Sequence, residues 1–212
     1  ISERAWKKHI NSRWEYCAAL CDFRPGKTHL QGVGAISRYK DIHPPLHRWH
    51  GPHQKPCIRI LSLCDGMGAI GYATKQVTAS LPFEVDLQVM AIEIDTSAAA
   101  IAKSLNRDYL SHLQPTDIWE WVRDEKQGKT WIKQMLPITL VACGFPCVSL
   151  SNASGCGKGL QDTRKNASAA FFAAARIQHW VREECDADIL FECVDFTHRF
   201  PEDYNLVCES LR

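Results

Sequence analysis

The stretch that decides the fold is residues 58–68, Ile-Arg-Ile-Leu-Ser-Leu-Cys-Asp-Gly-Met-Gly. Its first part, Ile58–Cys64, is a short apolar run with β-branched residues, which is typical of a buried strand. The two glycines that follow indicate a tight turn. Apolar residues then recur at helical spacing, at Ile70, Ala73, Val77 and Leu81. The stretch therefore predicts a strand, a glycine turn and a helix, which together form one β-α unit.

Similar apolar runs alternate with helical patterns farther along the chain. Further strands are predicted at Leu87–Ile94, Ser111–Thr116, Ile138–Cys143 and Ile189–Val194, of which the run at 111–116 is the poorest. We expect an alanine-rich helix capped by Thr96 or Ser97, and a long helix over Ala167–Glu184. Uniformly apolar strands separated by helices indicate an α/β fold, with a parallel sheet covered by helices on both faces.

Residues 1–56 have a different composition from the rest of the chain. They are rich in Trp, His and Pro, and residues 1–60 hold eleven Lys and Arg against four Asp and Glu. Four prolines between 41 and 56 favour an extended connector over a regular element. We therefore predict a basic N-terminal extension, 1–56, and a main domain, 57–212. The basic segment is suited to lie near phosphates, and a solvated charged face is the simpler reading.

The extension also contains residue types that bind zinc. These residues are Cys17, Cys21, His43, His47, His50 and His53. Their local spacing suits a zinc site, but a connector that happens to be histidine-rich is the simpler explanation. We therefore predict no metal.

Bulk composition sets the class of protein. With 45% hydrophobic and 23% charged residues the chain resembles an ordinary globular protein. No apolar run approaches the about 18 residues needed to span a bilayer, and the first residues show no secretory pattern. The ten cysteines are irregularly placed, so reduced thiols are favoured. We expect an intracellular protein without a membrane partner. The chain ends at Arg212 inside a predicted helix, so we expect a C-terminally truncated domain.

Ligands of doubly wound sheets bind at the carboxyl ends of the strands, where this chain carries polar residues and glycines. The turn Asp65-Gly66-Met67-Gly68 lets backbone amides approach a ligand closely, although a tight turn can also exist without one. Glu93, which ends the second strand, is placed to accept hydrogen bonds from ribose hydroxyls, and Ile94 offers an apolar face to adenine. Asp117 and Ile118 follow the third strand and are candidates to hold the adenine amino group. Together these residues predict an adenosine site.

Two further strand ends carry candidates for chemistry. Pro146 fixes its own φ and biases Phe145 towards an extended conformation, so the chain presents Cys147 at a defined position. We expect Cys147 to be accessible and Cys143, within the strand, to be a core residue. Glu192 stands inside an otherwise apolar strand, where burial would raise the pKa of its carboxyl towards that of a usable acid.

In series, these motifs resemble those of the cytosine-5 DNA methyltransferases, most closely the animal de novo type. The motifs are Gly66-Met67-Gly68, Glu93, Gly144-Phe145-Pro146-Cys147 and Phe191-Glu192-Cys193-Val194. Weaker matches are Asp41 to Pro45, Arg59 to Gly66, Leu150-Ser151-Asn152, Lys158-Gly159-Leu160 and Phe171-Phe172. The resemblance covers about residues 41–195. Each motif is modest alone, and their order makes the resemblance specific.

The resemblance implies a Rossmann-like S-adenosylmethionine-dependent methyltransferase fold and a nuclear enzyme that flips a cytosine out of DNA. It implies that Cys147 adds to C6 of the base and that Glu192 binds N3. It assigns the cofactor to Asp65, Gly66, Met67, Gly68, Glu93, Ile94, Asp117, Ile118 and Pro146. A homologous subunit is a further expected partner.

One departure from the family and two alternative functions accompany this interpretation. Cys193 stands where the family usually has an asparagine that helps to order the catalytic loop and the acid. The target-recognition region and the later family motifs are expected beyond Arg212. A transfer RNA cytosine methyltransferase of the same fold, and an inactive accessory subunit that keeps the fold, remain alternatives. RNA is the less favoured substrate.

Overall fold

The structure, a computed structural model, describes residues 55–151, 157–162 and 167–211. The chain divides into two compact units, 1–56 with 76–85 and 57–75 with 86–212. Of the first unit, residues 55, 56 and 76–85 are described, and Lys55 forms an ion pair there with Glu84. The rest of the predicted extension, with its candidate zinc ligands, lies outside the described residues.

Strands and helices alternate along the described residues. The strands are β1 (Cys57–Leu63), β2 (Asp86–Ile92), β3 (Leu110–His112), β4 (Leu140–Gly144) and β5 (Asp188–Glu192). The helices are α1 (Ala69–Ala79), α2 (Thr96–Leu105), α3 (Ile118–Arg123), α4 (Glu125–Met135), α5 (Ala170–Glu184) and α6 (Pro201–Ser210). A short 3₁₀ turn, Gly159–Gln161, precedes α5. The strand predictions are correct to within a few residues, and the poor run at 111–116 contributes only the three-residue strand β3.

Over the described residues, the strands form one parallel sheet in the order β3-β2-β1-β4-β5. β1 lies in the middle, with Leu63 opposite Ile92 of β2 and Cys143 of β4. The chain moves outwards from β1 through β2 to β3 and then crosses back to β4. This reversal opens a crevice at the carboxyl ends of β1 and β4, where such sheets bind ligands.

Successive side chains of the strands point to opposite faces, and each face carries its own apolar core. On one face, residues such as Leu61 and Val141 pack with apolar side chains of α3, α4 and α5. On the other face, residues such as Ile60 and Val89 pack with Ala102 of α2 and with α1. Helices therefore cover both faces, which confirms the α/β architecture expected from the apolar strands.

The predicted apolar stripe of α1 is wrong in part. Ala73 and Val77 are exposed, and the buried positions of the helix are Gly71 and Thr78. A Cβ atom on Gly71 would lie 3.3 Å from the side chains of Val89 and Tyr109. A glycine therefore makes the close contact, which a pattern based on large apolar residues cannot detect.

The predicted cap of α2 is also wrong. Asp95, rather than Thr96 or Ser97, is the N-cap, and its Oδ1 accepts hydrogen bonds from the backbone N–H groups of Ser97 (2.8 Å) and Ala98 (3.0 Å). A carboxylate satisfies two free N–H groups and also carries the charge that a helix N-terminus favours.

The large core cluster has Phe171 of α5 at its centre. Its side chain is fully buried, and its ring contacts those of Phe145, Phe172 and Phe191, with centroids 5.2, 5.6 and 6.1 Å away. Phe145 follows β4 and Phe191 lies in β5, so this ring cluster joins α5 to the two strands that carry the candidate catalytic residues.

We expect Phe171→Ala to lower the free energy of unfolding by about 3 to 5 kcal/mol, because it leaves a cavity among packed rings. Urea unfolding monitored by circular dichroism measures this change. Phe172→Ala is the matched control, since its side chain is 39% exposed. Its expected cost is about 1 kcal/mol, the value of one aromatic pair. Equal losses in the two variants would show that Phe171 is not the centre of this core.

Candidate active site at the carboxyl ends of the strands

The turn after β1 has an unusual backbone. Cys64, Gly66 and Gly68 all have positive φ, of 54°, 58° and 80°. A Cβ atom on Gly68 would collide with the side-chain amide of Asn106, whereas one on Gly66 would meet nothing within 4 Å. The turn is therefore packed closely against α2 at Gly68 and open at Gly66.

Glu93 joins this turn to the end of β2. Its side chain is 9% exposed, its Oε2 accepts the backbone N–H of Gly66 at 2.7 Å, and its Oε1 accepts that of Asp95 at 2.7 Å. Each carboxylate oxygen has a second lone pair that can accept a ligand hydroxyl. The structure thus brings two of the predicted cofactor residues, Gly66 and Glu93, into direct contact.

Asp65 is buried beside the same turn and has one oxygen to spare. Its Oδ1 accepts the hydroxyl of Ser62, while its Oδ2 has no partner among the described residues. Burial raises the pKa of Asp65, and the bond from Ser62 and the nearby His112 oppose that rise. A buried carboxyl oxygen without a donor is unfavourable, so it marks a place where a ligand donor would be stabilised. Ser62 lies in the predicted first strand and His112 in the third, and neither was predicted as a site residue, because nothing in the local pattern places either of them beside Asp65.

The remaining predicted cofactor residues are placed less directly. Asp117 is the N-cap of α3, and its Oδ1 accepts the N–H of Trp119 at 2.9 Å. Ile118 is only 6% exposed and packs in the core, so little of its side chain is left for a ligand. Met67 is 60% exposed, and Ile94 and Pro146 are half-buried.

The candidate catalytic residues follow the neighbouring strands β4 and β5. Glu192 is paired in register with Gly144, and a Cβ atom on Gly144 would lie 3.9 Å from Oε2 of Glu192 and from the carbonyl oxygen of Cys64. The Glu192 carboxyl therefore lies beside Gly144, the last residue of β4. Gly144 stands three residues before Cys147 in the chain. The predicted burial of Glu192 is wrong: its side chain is exposed, because it is the last residue of the edge strand β5.

Four cysteines, which we call the thiol cluster, meet at this edge of the sheet: Cys64, Cys143, Cys147 and Cys193. The thiol of Cys143 interacts with that of Cys64, and the thiol of Cys193 interacts with that of Cys147. Cys143 is 3% exposed, as expected for a core residue, whereas Cys147 and Cys193 are half-buried. Burial raises the pKa of Cys143 well above its ordinary value and that of Cys193 to about 12.

The segment after Cys147 is held by buried polar contacts. The Cys147 carbonyl accepts the N–H groups of Leu150 (3.0 Å) and Ser151 (2.8 Å), which closes a turn. The fully buried Ser149 donates its hydroxyl to Asp162 and its N–H to Ser168 Oγ at 3.3 Å. The residues before α5 are thereby tied to the turn that begins at Cys147.

The residues around the start of α6 hold the same segment from the other side. Arg199 donates a hydrogen bond to the carbonyl of Ser151 at 2.5 Å, and Asp203 Oδ2 accepts the N–H of Leu160 at 2.8 Å. Sequence reasoning missed these contacts, because each joins residues more than forty positions apart and nothing in the local pattern signals them.

No group of three or more His, Cys, Asp or Glu side chains that could hold a metal ion is found in residues 55–151, 157–162 and 167–211. Over those same ranges, none of the helices is both long enough and apolar enough to cross a membrane.

A scan of the chain against models of known protein families finds no match, and a search of curated proteins finds no related sequence.

The raised pKa of Cys193 predicts a loss of stability in alkali. The unfolded chain releases this proton near its ordinary pKa of 9.0, whereas the folded chain holds it up to about pH 12. Stability is therefore unaffected below pH 9 and falls as the pH rises through this window. One proton changes the free energy of unfolding by about 1.4 kcal/mol per pH unit, and solvent screening at this half-buried thiol reduces the effect.

Urea-unfolding midpoints measured across this pH range test the prediction. Cys193→Ala should show a shallower alkaline decline than the unchanged chain, and Cys208→Ala, a cysteine of α6 outside the thiol cluster, should not. An unchanged slope in Cys193→Ala would contradict the assignment.

Proposed function

We propose that this protein transfers a methyl group from S-adenosylmethionine to C5 of cytosine in DNA. The observation that carries the proposal is the convergence of Cys147 and Glu192 at the ends of adjacent strands, beside the turn that Glu93 binds. A thiol, a carboxyl group and a glycine turn at one edge of a parallel sheet supply a nucleophile, an acid and a cofactor cradle.

The residues around the glycine turn fit the cofactor. Asp65 has a buried oxygen that lacks a donor, which suits an ammonium group such as that of the cofactor's methionine part. Glu93 keeps free lone pairs for ribose hydroxyls, and the open side of Gly66 leaves room for a ligand. When bound, S-adenosylmethionine supplies an electrophilic methyl group on a positively charged sulfur. The resemblance adds Met67, Gly68, Ile94, Asp117, Ile118 and Pro146 to this site.

Cys147 is the nucleophile in this proposal. The cytosine ring is a weak carbon nucleophile, and addition of the Cys147 thiolate to C6 makes C5 electron-rich. The base must leave the duplex for this attack, because its ring atoms are hidden in the stack. The half-buried position of Cys147 after the end of β4 is compatible with access by a flipped base.

Glu192 holds a proton at N3 of the base while Cys147 adds. The addition pushes an electron pair towards N3, and a carboxylic acid hydrogen-bonded there stabilises that charge. After C5 is methylated, a base removes the C5 proton, the C6–S bond breaks, and the thiolate of Cys147 leaves. The exposed carboxyl of Glu192 is compatible with direct contact with the base.

DNA is the proposed substrate because the motifs resemble those of DNA enzymes, and a nuclear location and a homologous partner subunit belong to the same proposal. The cysteine chemistry would be the same on transfer RNA. The following experiment, carried out once with DNA and once with transfer RNA that contains 5-fluorocytosine, distinguishes the two substrates.

A duplex that contains 5-fluorocytosine tests the nucleophile. Fluorine at C5 blocks the elimination step, so the complete protein with S-adenosylmethionine should form an adduct that survives denaturation. Cys147→Ala should abolish the adduct but keep DNA binding, because backbone contacts do not need the thiol.

Cys143→Ala is the matched control. This variant should lose packing contacts, which lowers the free energy of unfolding by about 1 to 2 kcal/mol, and should leave the adduct intact, because Cys143 is a core residue. An adduct that persists without Cys147 would contradict the assignment. An adduct with transfer RNA alone would move the substrate to RNA, and none on either substrate would favour an inactive accessory subunit.

A further inference from the structure

The proposed reaction uses only one of two thiols that lie close together at the site. The thiols of Cys193 and Cys147 interact electrostatically, and both residues are half-buried. Cys193 directly follows Glu192, the last residue of β5, and Cys147 follows the end of β4, so the two thiols come from neighbouring strand ends. A second thiol at this position has no part in methyl transfer.

We propose that a hydroperoxide converts Cys147 and Cys193 into a reversible intramolecular disulfide, which makes this pair an oxidative modification site. The register of β4 and β5, which pairs Gly144 with Glu192, and the interaction between the two thiols support the pairing, since a disulfide requires its two cysteines to be close neighbours.

The other pair of the thiol cluster is less suited to this reaction. Cys143, which interacts with Cys64, is 3% exposed, so an oxidant in solution has little access to its sulfur. Cys147 and Cys193 are both more accessible than Cys143. Oxidation is therefore expected to select the pair that contains Cys147.

The pKa of Cys193 indicates which of the two thiols is oxidised first. Burial raises the pKa of Cys193 to about 12, so this thiol stays protonated near neutral pH and is a poor nucleophile towards peroxide. Cys147 is thus the first sulfur oxidised: its thiol and hydrogen peroxide give a sulfenic acid and water. Cys193 attacks the sulfenic sulfur because it is held beside Cys147 at the neighbouring strand end. As the S–S bond forms, the proton of the Cys193 thiol passes to the departing hydroxyl, which leaves as a second water.

Closure of the disulfide would occupy the sulfur that attacks cytosine. This consequence rests on the proposed function, whereas formation of the disulfide does not. Two molecules of a small thiol reductant would restore both thiols and become oxidised to their own disulfide.

Peptide mapping tests the disulfide directly. The reduced complete protein is treated with hydrogen peroxide, free thiols are blocked with N-ethylmaleimide, and the tryptic digest is analysed by tandem mass spectrometry. Cys147 lies on peptide 134–158 and Cys193 on peptide 183–199. The same peptides also carry Cys143, Cys156 and Cys185. Fragmentation at Pro146 separates Cys143 from Cys147.

We expect the Cys147–Cys193 cross-link to be at least about tenfold more abundant than any other pair and to disappear with dithiothreitol. Cys193→Ser should abolish it and let Cys147 proceed to the sulfinic acid. Cys64→Ser, the control in the pair that contains the buried Cys143, should leave the cross-link unchanged. A cross-link of Cys147 to Cys143 or Cys156, or none in the unchanged protein, would overturn the proposal, and this readout does not require any variant to fold.

The 5-fluorocytosine adduct separates this proposal from the proposed function. If both hold, peroxide should abolish adduct formation and dithiothreitol should restore it. A cross-link in a protein whose reduced form gives no adduct would support the disulfide and contradict methyl transfer. An adduct without any cross-link would support methyl transfer and overturn the disulfide.

Discussion

The parallel direction of the strands is the constraint on which the site depends. β1 lies between β2 and β4, and three of its side chains, Ile60, Leu61 and Leu63, are fully buried between the two helical layers. Because the strands run the same way, the residues that follow them converge at one edge. If β2 or β4 ran antiparallel to β1, the residue that follows it, Glu93 or Cys147, would lie at the opposite edge of the sheet. The two residues would then be separated by the length of a strand.

The converging edge has two halves with different chemistry. On the β1–β2 half, carboxylates dominate: Glu93 holds the glycine turn, and Asp65 has an oxygen without a donor. On the β4–β5 half, thiols dominate, and Glu192 is exposed beside Cys147 and Cys193. In the proposed reaction, the positively charged cofactor binds at the first half and the base at the second, so the methyl group crosses the switch point of the sheet.

The parts of this arrangement that depend on local pattern could be predicted from the sequence. Apolar runs located the strands, and the Phe-Pro pair before Cys147 indicated a thiol beyond a strand end. The parts that depend on distant residues could not. The close fit of Gly71 against the sheet, the exposure of Glu192 on the edge strand and the bond from Leu160 to Asp203 each require knowledge of the neighbour in space. Periodicity reports that a side chain is buried, but it does not report what covers it.

In the proposed reaction, the thiol of Cys147 directs a methyl group to carbon 5 of cytosine. Mass spectrometry tests this on nucleosides from DNA that has been incubated with the complete protein and S-adenosylmethionine carrying a deuterated methyl group. We expect deuterated 5-methylcytosine with the unchanged protein and none with Cys147→Ser. Label on the exocyclic nitrogen of cytosine, or on carbon 5 in the Cys147→Ser reaction, would contradict it.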